Sequence, residues 1–456
     1  MDFRNLNVAV VGLGTSGKDA CRLMKKMGSI VRATEENVND ATSLAAEELR
    51  RDYFDVELGA HNEDFLKDID LMVVSPGVSP DSLPVRYAVR MSVPVISEME
   101  LGFSACRGKV LAVTGTNGKS TVVTLLGKIL EKAGLKHVVC GNIGNSLSGE
   151  IDSIDADTLV VLEVSSFQLE WAPFFKPAVS CVLNITEDHL DRYKSLDDYA
   201  YAKYRIFINQ DEKDIVVLNY DDPRLREVPF PVRAKKLYYS MRPGIEGMYF
   251  AGGKVMRSEK GREEVFFEMP QSALKGGHNI ENVMAAALIA GSRGVAPDII
   301  REVVAEYRML SHRIEVVGET GGVTFIDDSK ATNIDSVKRA LDAMENRVVL
   351  IAGGRDKGGD YGSIAESIKA KVSKLILIGE ASARIKASYK GIVDIEEAAS
   401  LESAVEMAHK SAGSGGTVLL SPMCSSFDMF RDYKHRGDVF RKAVGNIQKE
   451  SAEKRA

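Results

Sequence analysis

The chain has 456 residues, with 59 Lys or Arg against 65 Asp or Glu, so its formal net charge is −6. At roughly 150 residues per domain, this length predicts about three domains. A mildly acidic chain with 45% hydrophobic residues has the composition of an ordinary globular protein, without the basic excess of nucleic-acid or membrane-surface binders. We therefore expect no nucleic acid and no membrane surface among its partners.

The sequence also predicts a cytoplasmic chain. Its longest apolar runs, such as residues 159–162, are far shorter than the ~20 residues that cross a bilayer. The amino terminus lacks the basic start and cleavage-site pattern of a signal peptide. Five widely spaced cysteines with no C-x-x-C pair indicate neither a disulfide framework nor a zinc site. We expect these cysteines to pack in the core and the chain to be a monomer.

In chain order, short β-branched runs alternate with amphipathic stretches, which predicts an α/β protein with parallel sheets covered by helices on both faces. The predicted strands lie at residues 7–11, 70–74, 109–114, 159–163, 179–184, 347–351, 374–378 and 417–421.

The alternation restarts at three places, which predicts three domains. We expect a Rossmann-like N-terminal domain at residues 1–97, a central P-loop ATPase-like domain at 98–309 and a Rossmann-like C-terminal domain at 310–456. The segment 237–270 breaks the alternation with tyrosine-rich runs and two adjacent glycines, a pattern typical of a β-hairpin excursion. The charged tail, 448–456, predicts a helix end.

The first glycine-rich loop, Gly-Leu-Gly-Thr-Ser-Gly at residues 12–17, follows the first predicted strand. It matches the G-x-G-x-x-G fingerprint, in which glycines allow a tight turn and a diphosphate binds at a helix amino terminus. We expect Gly14, Thr15 and Ser16 to contact such a diphosphate. A nicotinamide cofactor and any other nucleotide diphosphate fit the same geometry, so the loop alone leaves the ligand open.

Two nearby segments are candidates for the same ligand. Thr34 precedes Glu35 after the predicted second strand, where an acidic residue can hold a ribose. Ser75 and Gly77 lie in a turn after the strand 70–74, at the same end of the sheet. That turn could close over the ligand, although a plain β-turn explains it equally well.

The second loop, Thr-Gly-Thr-Asn-Gly-Lys-Ser-Thr at residues 114–121, is more specific. Backbone N–H groups here would cradle phosphates, a lysine would reach the β and γ phosphates, and a serine hydroxyl would hold Mg²⁺. Val113 stands where the strict P-loop pattern has glycine, so most P-loop NTPase families fit poorly. The candidate ATP-binding residues are Gly115, Thr116, Asn117, Gly118, Lys119, Ser120 and Thr121.

Glu163 ends a predicted buried strand, where a carboxylate would face the mouth of the same sheet. Together with Ser120 it could hold one Mg²⁺, because hard cations take oxygen ligands. An acid that caps the following helix is the alternative interpretation.

The second loop resembles the ATP loop of the Mur ligases and their folylpolyglutamate synthetase relatives, which join an amino acid to a carboxylate through an acyl phosphate. The resemblance covers essentially the whole chain. It rests on these further motifs, in order: Gly-Asn-Ile-Gly at 141–144, Glu-Val-Ser-Ser-Phe-Gln-Leu at 163–169, Asn-Ile-Thr-Glu-Asp-His-Leu-Asp at 184–191, Lys203, His-Asn-x-x-Asn at 278–282, His-Arg at 312–313, Asp-Ser-Lys-Ala-Thr-Asn at 328–333 and Ser-Pro at 421–422.

Two of these motifs, at 163–168 and 328–333, are similar to those of the D-glutamate-adding branch of the family. The resemblance implies an ATP-dependent and Mg²⁺-dependent ligase that joins UDP-N-acetylmuramoyl-L-alanine to D-glutamate in peptidoglycan precursor synthesis. A sister ligase that adds another amino acid is the alternative.

The resemblance also changes how two residues are interpreted. His189, alone in a predicted loop, would ordinarily be a surface residue, and Lys203 would be a solvated helix lysine. In the family, the matching histidine binds a second Mg²⁺ and the matching lysine is carbamylated, so that its added carboxylate helps that ion. We therefore expect Glu163, His189 and Lys203 in the catalytic centre, with Lys119.

Several amides and hydroxyls complete the central site by resemblance. Asn142, Ser165 and Gln168 suit the muramoyl-alanine end of the substrate, although Asn142, between two glycines, could be only a left-handed turn residue. Asn279 and Asn282 lie one helical turn apart, so both amides can read an adenine edge.

In the third domain, Arg313 and Asp328 resemble family contacts to ATP phosphate and ribose. The resemblance implies that Lys357, Thr332 and Ser426 hold the side-chain carboxylate of D-glutamate, and that Lys330 and Tyr433 are further substrate-binding residues. Without the resemblance, the glycine-rich turn that carries Lys357 is equally well explained as a plain connection after a strand.

The chain departs from the family pattern in two places. It has Ala-Thr-Glu at 33–35 where the family often has an acid followed by Thr-Arg, and it has Tyr433 where some members have Phe.

Two other classes of protein fit the sequence less well. A nicotinamide-dependent dehydrogenase leaves the second loop, Glu163 and His189 unexplained, and a non-enzymatic ATP switch has no use for the Ser-Lys-Ala-Thr cluster at 329–332.

Overall fold

The structure is a computed structural model that describes residues 2–453 except 272, 273, 275 and 309. The expected boundary residue 309 and residues 454–456 of the expected tail lie outside the described part. Among the described helices, none is long and apolar enough to cross a membrane. All five cysteines are free of disulfides. Four of them are buried, as predicted, whereas Cys106 is only partly buried.

The chain splits into two compact units. The first consists of Met1–Ile185, Tyr199–Pro270 and Glu281–Ala305, and the second of Thr186–Asp198, Gln271–Ile280 and Glu306–Ala456. The first unit contains two sheets and the second contains one. The α/β class with mostly parallel sheets is therefore confirmed.

The N-terminal sheet has five parallel strands in the order β3-β2-β1-β4-β5. Apolar residues fill both of its faces, as expected for a parallel sheet covered on two sides. Its strands are β1 (Asn7–Val11), β2 (Ile30–Glu35), β3 (Asp55–Leu58), β4 (Leu71–Val74) and β5 (Val95–Ser97), and its helices are α1 (Thr15–Lys26), α2 (Asp40–Arg51) and α3 (Leu83–Arg90).

The central sheet has nine strands. Their bounds are β6 (Lys109–Thr114), β7 (His137–Gly141), β8 (Leu159–Glu163), β9 (Val179–Val182), β10 (Ile215–Asn219), β11 (Lys235–Ser240), β12 (Gly247–Ala251), β13 (Lys254–Glu259) and β14 (Arg262–Glu268). Their order is β14-β13-β12-β11-β10-β9-β6-β8-β7. Strands β12, β13 and β14 pair antiparallel at one edge, which confirms the predicted hairpin excursion.

The helices associated with this sheet include one that follows β5 directly and one that opens at the second glycine-rich loop. Their bounds are α4 (Glu98–Ala105), α5 (Lys119–Lys132), α6 (Leu147–Glu150), α7 (Ser166–Glu170), α8 (Leu196–Tyr204), α9 (Pro223–Arg226), α10 (Gly277–Gly291) and α11 (Pro297–Glu306), with a 3₁₀ turn at Ile151–Ser153.

The C-terminal sheet has six strands in the order β15-β16-β20-β17-β18-β19, and only the pair β15 and β16 is antiparallel among them. The strands are β15 (Glu315–Thr320), β16 (Val323–Asp327), β17 (Val348–Gly353), β18 (Val372–Ile378), β19 (Asp394–Glu397) and β20 (Thr417–Leu420). The helices are α12 (Ile334–Ala343), α13 (Ala365–Lys371), α14 (Ser382–Tyr389), α15 (Leu401–Ala412) and α16 (Tyr433–Glu453), with a 3₁₀ turn at Tyr361–Ile364.

Candidate active site

The second glycine-rich loop joins β6 to α5, and its backbone is held by an asparagine that sequence analysis did not single out. The Oδ1 of Asn184 accepts a 2.8 Å hydrogen bond from the backbone N–H of Asn117, and its Nδ2 donates to the Asn117 carbonyl at 3.1 Å. The backbone N–H of Thr116 donates to the Asn184 carbonyl at 2.9 Å. These three bonds fix the loop in its cradle shape. Asn184 is the first residue of the motif at 184–191. That motif is the sequence signal that could have identified it as a residue of the site.

Glycine is required at the end of this loop. Gly118 has φ +89° and immediately precedes α5. A Cβ built there would lie 2.4 Å from Oδ1 of Asn282. The same contact shows that the predicted adenine-reading Asn282 lies beside the loop. Asn279, the other predicted adenine contact, is buried on the same helix, α10, and belongs to the second unit.

Lys119, the first residue of α5, folds back over its own loop. Its Nζ donates to the carbonyl oxygens of Gly115 at 2.8 Å and Thr116 at 2.9 Å. Ser120 and Thr121 follow in the first turn of α5 and are buried. The structure therefore gathers the seven predicted ATP-binding residues of this loop, 115–121, around one helix amino terminus, where a phosphate is favoured electrostatically.

Glu163 lies at the end of β8, which pairs directly with β6. Only 2% of Glu163 is exposed. Its Oε1 accepts a 2.8 Å hydrogen bond from Nδ2 of Asn142, whose backbone N–H donates to the Glu163 carbonyl at 2.8 Å. Among the described residues, the buried Oε2 of Glu163 has no hydrogen-bond partner.

A buried carboxylate oxygen without a partner is costly. A hard divalent cation such as Mg²⁺ would satisfy it, because such ions take carboxylate oxygens as ligands. The backbone of Asn142 is not in the left-handed region, so the alternative interpretation of Asn142 as a left-handed turn residue is wrong.

Lys203 lies on α8 and is 1% exposed, which excludes the solvated helix lysine that its sequence context alone suggests. Its Nζ donates to the Gly115 carbonyl at 3.1 Å and lies 4.4 Å from the ring centroid of Tyr199. The structure thus brings this lysine to the ATP loop.

Ser165 and Gln168 form a capping box at the start of α7. The backbone N–H and the hydroxyl of Ser165 donate to Oε1 of Gln168 at 2.9 and 3.0 Å, and the Gln168 N–H donates to the Ser165 hydroxyl at 3.3 Å. Both side chains therefore cap the amino terminus of α7. Their contact with substrate stays a prediction.

The first glycine-rich loop joins β1 to α1. A Cβ at Gly17 would lie 1.8 Å from the Gly12 carbonyl oxygen, so only glycine allows this helix to start against the loop. Thr15 and Ser16 form the first turn of α1, after Gly14 at the cap position. The predicted diphosphate contacts are thus together at one helix amino terminus.

The turn after β4 lies against the first loop, because β4 pairs with β1. The Ser75 hydroxyl donates to the Gly12 carbonyl at 3.4 Å. The Val78 N–H donates to the Ser75 carbonyl at 3.0 Å, which closes a β-turn around the exposed Gly77. The predicted proximity of the two segments is confirmed, and their contact with a ligand stays a prediction.

Thr34 and Glu35, at the end of β2, differ in what they face. Thr34 is fully buried, and its hydroxyl lies 2.8 Å from Nδ1 of His61. The Glu35 carboxylate instead accepts a 3.1 Å hydrogen bond at Oε2 from the backbone N–H of Leu13, inside the first loop. The acidic residue is therefore the one that reaches the glycine-rich loop.

In the second unit, the segment 186–198 carries a buried carboxylate that sequence analysis did not assign. Oδ1 of Asp188 lies 2.9 Å from Nζ of Lys357, and Oδ2 accepts a 2.9 Å hydrogen bond from Nδ2 of Asn333. Burial by itself raises the pKa of Asp188, but the charges of Lys357 and His189 and these hydrogen bonds hold it below its usual range. Asp188 is therefore a carboxylate at neutral pH.

A small pocket surrounds this ion pair. Asp188, Thr332, Asn333, Lys357 and Tyr361 are among its lining residues. Two predicted D-glutamate contacts, Thr332 and Lys357, thus face one cavity. His189 follows Asp188 with a left-handed backbone, φ +56°.

Asp328, a predicted ribose contact, is buried at the end of β16. Its Oδ2 accepts a 2.7 Å hydrogen bond from the Ser421 hydroxyl. Burial raises the pKa of Asp328 to about 7, against the opposing effects of Ser421 and of the neighbouring Arg313. The predicted pair of Arg313 and Asp328 is thus electrostatically linked within this unit.

Lys330 and Tyr433 meet in a cation–π contact. Nζ of Lys330 lies 3.8 Å from the ring centroid of Tyr433, the first residue of α16. Such a contact is available to phenylalanine as well, so the departure at this position preserves it. The buried Ser426 accepts at its carbonyl from the Phe430 N–H at 2.8 Å.

A buried arginine supports these loops and carries no sequence signal of its own. Arg436 on α16 is fully buried. Its guanidinium donates to the carbonyl oxygens of Ser329 at 2.9 Å and Cys424 at 3.1 Å. It therefore ties the 328–333 motif to the loop that leads to Ser426.

Comparison with known proteins accounts for these features together. Family models match the chain in three blocks: the Mur ligase MurD-like N-terminal domain at residues 6–97, the Mur ligase middle domain at 113–290 and the Mur ligase glutamate ligase domain at 312–424.

Full-length relatives are similar in sequence. A UDP-N-acetylmuramoylalanine–D-glutamate ligase of Geotalea daltonii is 41% identical over 447 residues, which cover 97% of this chain and 98% of the relative. A protein of the same name from Thermoanaerobacter sp. (strain X514) is 38% identical over 454 residues, which cover 98% and 100%. The chain belongs to the Mur ligase family and, within it, groups with the UDP-N-acetylmuramoylalanine–D-glutamate ligases.

Solved structures share the fold. The UDP-N-acetylmuramate-alanine ligase MurC of Thermotoga maritima superimposes with a TM-score of 0.63 at 19% identity, covering 97% of this chain and 100% of that one. The MurF ligase of Thermotoga maritima, solved in complex with ADP, gives a TM-score of 0.59 at 17% identity, covering 99% and 96%.

Proposed function

We propose that the chain is an ATP-dependent ligase that forms the amide bond between UDP-N-acetylmuramoyl-L-alanine and D-glutamate in peptidoglycan precursor synthesis. The observation that carries this proposal is the juxtaposition of the ATP loop at 114–121 with a buried glutamate, Glu163, that has an unsatisfied oxygen. Relatives about 40% identical over nearly the whole chain bear the name of this ligase. A sister ligase is therefore not favoured.

The reaction consists of two balanced steps. The alanyl carboxylate oxygen attacks the γ-phosphorus of ATP, ADP leaves, and an acyl phosphate forms. The D-glutamate amine then attacks the acyl carbon, phosphate leaves and carries away the carboxylate oxygen that had attacked phosphorus, and the nitrogen loses a proton. Both steps concentrate negative charge, so positioned cations and N–H donors supply most of the catalysis.

Residues of the first unit would manage that charge. The loop N–H groups and Lys119 would bind the phosphates, and Ser120 and Glu163 would hold one Mg²⁺, which supplies Lewis-acid charge neutralisation when bound. Asn142 orients the Glu163 carboxylate through the 2.8 Å hydrogen bond, and so leaves Oε2 for the ion.

We propose further that Lys203 acts as a carbamate and that His189 serves a second Mg²⁺.

Residues of the second unit would serve the amino acid. Lys357 and Thr332 face one pocket, and a cation beside a hydroxyl suits a carboxylate. We propose that the same amino-acid site includes Lys330, Ser426 and Tyr433. We propose that ATP is contacted by Arg313 and Asp328.

We also propose that the enzyme acts as a monomer in the cytoplasm.

One assay tests the proposal. UDP-N-acetylmuramoyl-L-alanine, ATP and Mg²⁺ are offered with each of several amino acids, including D-glutamate, L-glutamate, L-alanine, glycine and meso-diaminopimelate, and phosphate release is followed. We expect release with D-glutamate far above the others. Release with another amino acid alone would identify a sister ligase.

The first loop is tested separately by calorimetry. We expect UDP-N-acetylmuramoyl-L-alanine to bind and NADH not to bind. Tight NADH binding without sugar-nucleotide binding would favour a dehydrogenase instead.

A further inference from the structure

Asp188 is the acceptor for three separate groups of the second unit. Its Oδ1 receives the ammonium of Lys357 and the backbone N–H of His189, both at 2.9 Å. Its Oδ2 receives the amide of Asn333, also at 2.9 Å. The side chain of Asp188 is 7% exposed and that of Lys357 is 16% exposed.

We propose that Asp188 is a positioning residue, whose carboxylate orients Lys357 for the amino-acid substrate and, through the same oxygen, sets the backbone of His189. The part of this inference that concerns substrate binding rests on the proposed function. The contacts themselves lie within the second unit.

The charge balance favours this role over direct substrate binding. An ammonium that is largely removed from water is costly without a counterion, and Lys357, whose side chain is 16% exposed, has the carboxylate of Asp188 as that counterion. An ammonium has three donors, and among the described residues Lys357 donates only to Asp188. The remaining N–H groups are therefore available to a substrate carboxylate.

The other oxygen of Asp188 is anchored to a helix. Asn333 is the cap residue of α12, and its Oδ1 accepts the Ser336 N–H at 2.8 Å. Its Nδ2 is thereby directed at Asp188. Thr332, a predicted substrate contact, directly precedes Asn333. Because one Asp188 oxygen binds Lys357 and the other binds Asn333, the carboxylate fixes the position of Lys357 relative to the 328–333 motif.

The contact to His189 explains a strained backbone. A left-handed conformation is unfavourable for a non-glycine residue, and His189 has φ +56°. The hydrogen bond from its N–H to the carboxylate of the preceding Asp188, at 2.9 Å, stabilises this conformation locally. Loss of the carboxylate should therefore loosen the 186–198 segment as well as Lys357.

A double-mutant cycle with Asp188→Asn and Lys357→Met tests the proposal through the KM for D-glutamate. A charge-assisted hydrogen bond is typically worth ~1.5 to 3 kcal/mol, which corresponds to about 10- to 150-fold in affinity. We expect each single variant to raise this KM at least tenfold, the KM for ATP to change less than about threefold, and the double variant to be little worse than Lys357→Met. Multiplicative effects of the two substitutions would overturn the proposal.

Hydrogen exchange of the unliganded protein supplies a readout independent of activity. The peptide covering 186–198 should lose protection in Asp188→Asn and in Lys357→Met. Each variant removes a different partner of the same hydrogen bond, so the result does not depend on one variant that fails to fold. Lys338→Ala, which removes an exposed ion pair with Asp342 on α12, is the matched control. Unchanged exchange in both variants would refute the link.

The two proposals fail in different ways. If the wild-type enzyme releases no phosphate with D-glutamate, the proposed function fails, while the exchange experiment still decides whether Asp188 and Lys357 hold the segment.

Discussion

Asn142 donates a 2.8 Å hydrogen bond from Nδ2 to Oε1 of Glu163, and in the described part of the chain the other carboxylate oxygen, Oε2, is buried without a partner. The two residues come from the ends of adjacent parallel strands, β7 and β8. The amide thus occupies one carboxylate oxygen and leaves the other unpaired, at the end of β8, which pairs with β6, the strand that leads into the ATP loop.

The first prediction concerns this open oxygen. Glu163→Gln should abolish Mg²⁺-dependent phosphate release, because a neutral amide cannot replace an anionic metal ligand. Mg²⁺ with ATP should raise the melting temperature of the wild type, since a ligand that binds only the folded state stabilises it. The same addition should have much less effect on the variant. Glu131→Gln, at an exposed position of α5, is the control, and full activity of Glu163→Gln would exclude the metal assignment.

The second prediction concerns Lys119. Lys119→Ala should reduce phosphate release at least 100-fold, because the variant loses the cation that would contact the β and γ phosphates. Its melting temperature should stay within a few degrees of the wild type, since alanine is favourable in a helix. Lys128→Ala, at an exposed position of the same helix, should behave like the wild type. A folded Lys119→Ala enzyme with normal turnover would contradict the ATP-loop assignment.

The third prediction concerns the buried Lys203. A lysine ammonium would repel a nearby Mg²⁺, whereas addition of CO₂ turns the same side chain into an oxygen ligand. Lys203→Ala should therefore lose activity, and added acetate should restore part of it. Lys203→Arg should also be inactive, because arginine does not form the carbamate.

The control for acetate rescue is Lys213→Ala, at an exposed position after α8, which should respond to acetate no more than the wild type. Native mass spectrometry supplies the direct check. A fully active enzyme with an unmodified lysine mass would refute the carbamate.

The fourth prediction concerns Glu98, the first residue of α4, which is 1% exposed. Its Oε1 accepts the Ser148 N–H at 2.8 Å, and Oε2 has no partner among the described residues. Burial, with a smaller contribution from Asp19, raises the pKa of Glu98 from 4.5 to about 7.

Between those two pH values the folded state keeps a proton that the unfolded chain releases. The contribution of Glu98 to the free energy of unfolding therefore falls as pH rises from about 4.5 to about 7, by an amount on the order of 3 kcal/mol at most. Glu98→Gln should remove this loss. Urea unfolding at pH 4.5 and pH 8 measures it: the variant should gain stability over the wild type at pH 8 and gain much less at pH 4.5. An equal difference at both pH values would contradict the buried-acid interpretation.

Local sequence was sufficient for the elements and for the phosphate loops. The predicted strands 7–11, 109–114 and 159–163 coincide with β1, β6 and β8, because a strand buried on both faces needs an uninterrupted apolar run. The loops at 12–17 and 114–121 are predictable for a similar reason, since in each one the glycines and the start of the following helix are adjacent in the chain. Such signals require no knowledge of distant partners.

Tertiary structure alone decided which side chains meet. Asp188 and Lys357 are 169 positions apart, and no periodicity or motif spacing predicts their contact. The same holds for Arg436, which in sequence is one charged residue among many in α16. Sheet order is equally hidden, since β6 lies between β8 and β9, although neither strand adjoins it in the chain. Hydrophobic periodicity specifies which face of an element is buried. The pairing of buried charges depends instead on how whole sheets pack, because that packing brings together segments that are far apart in the chain and have no local interaction with each other.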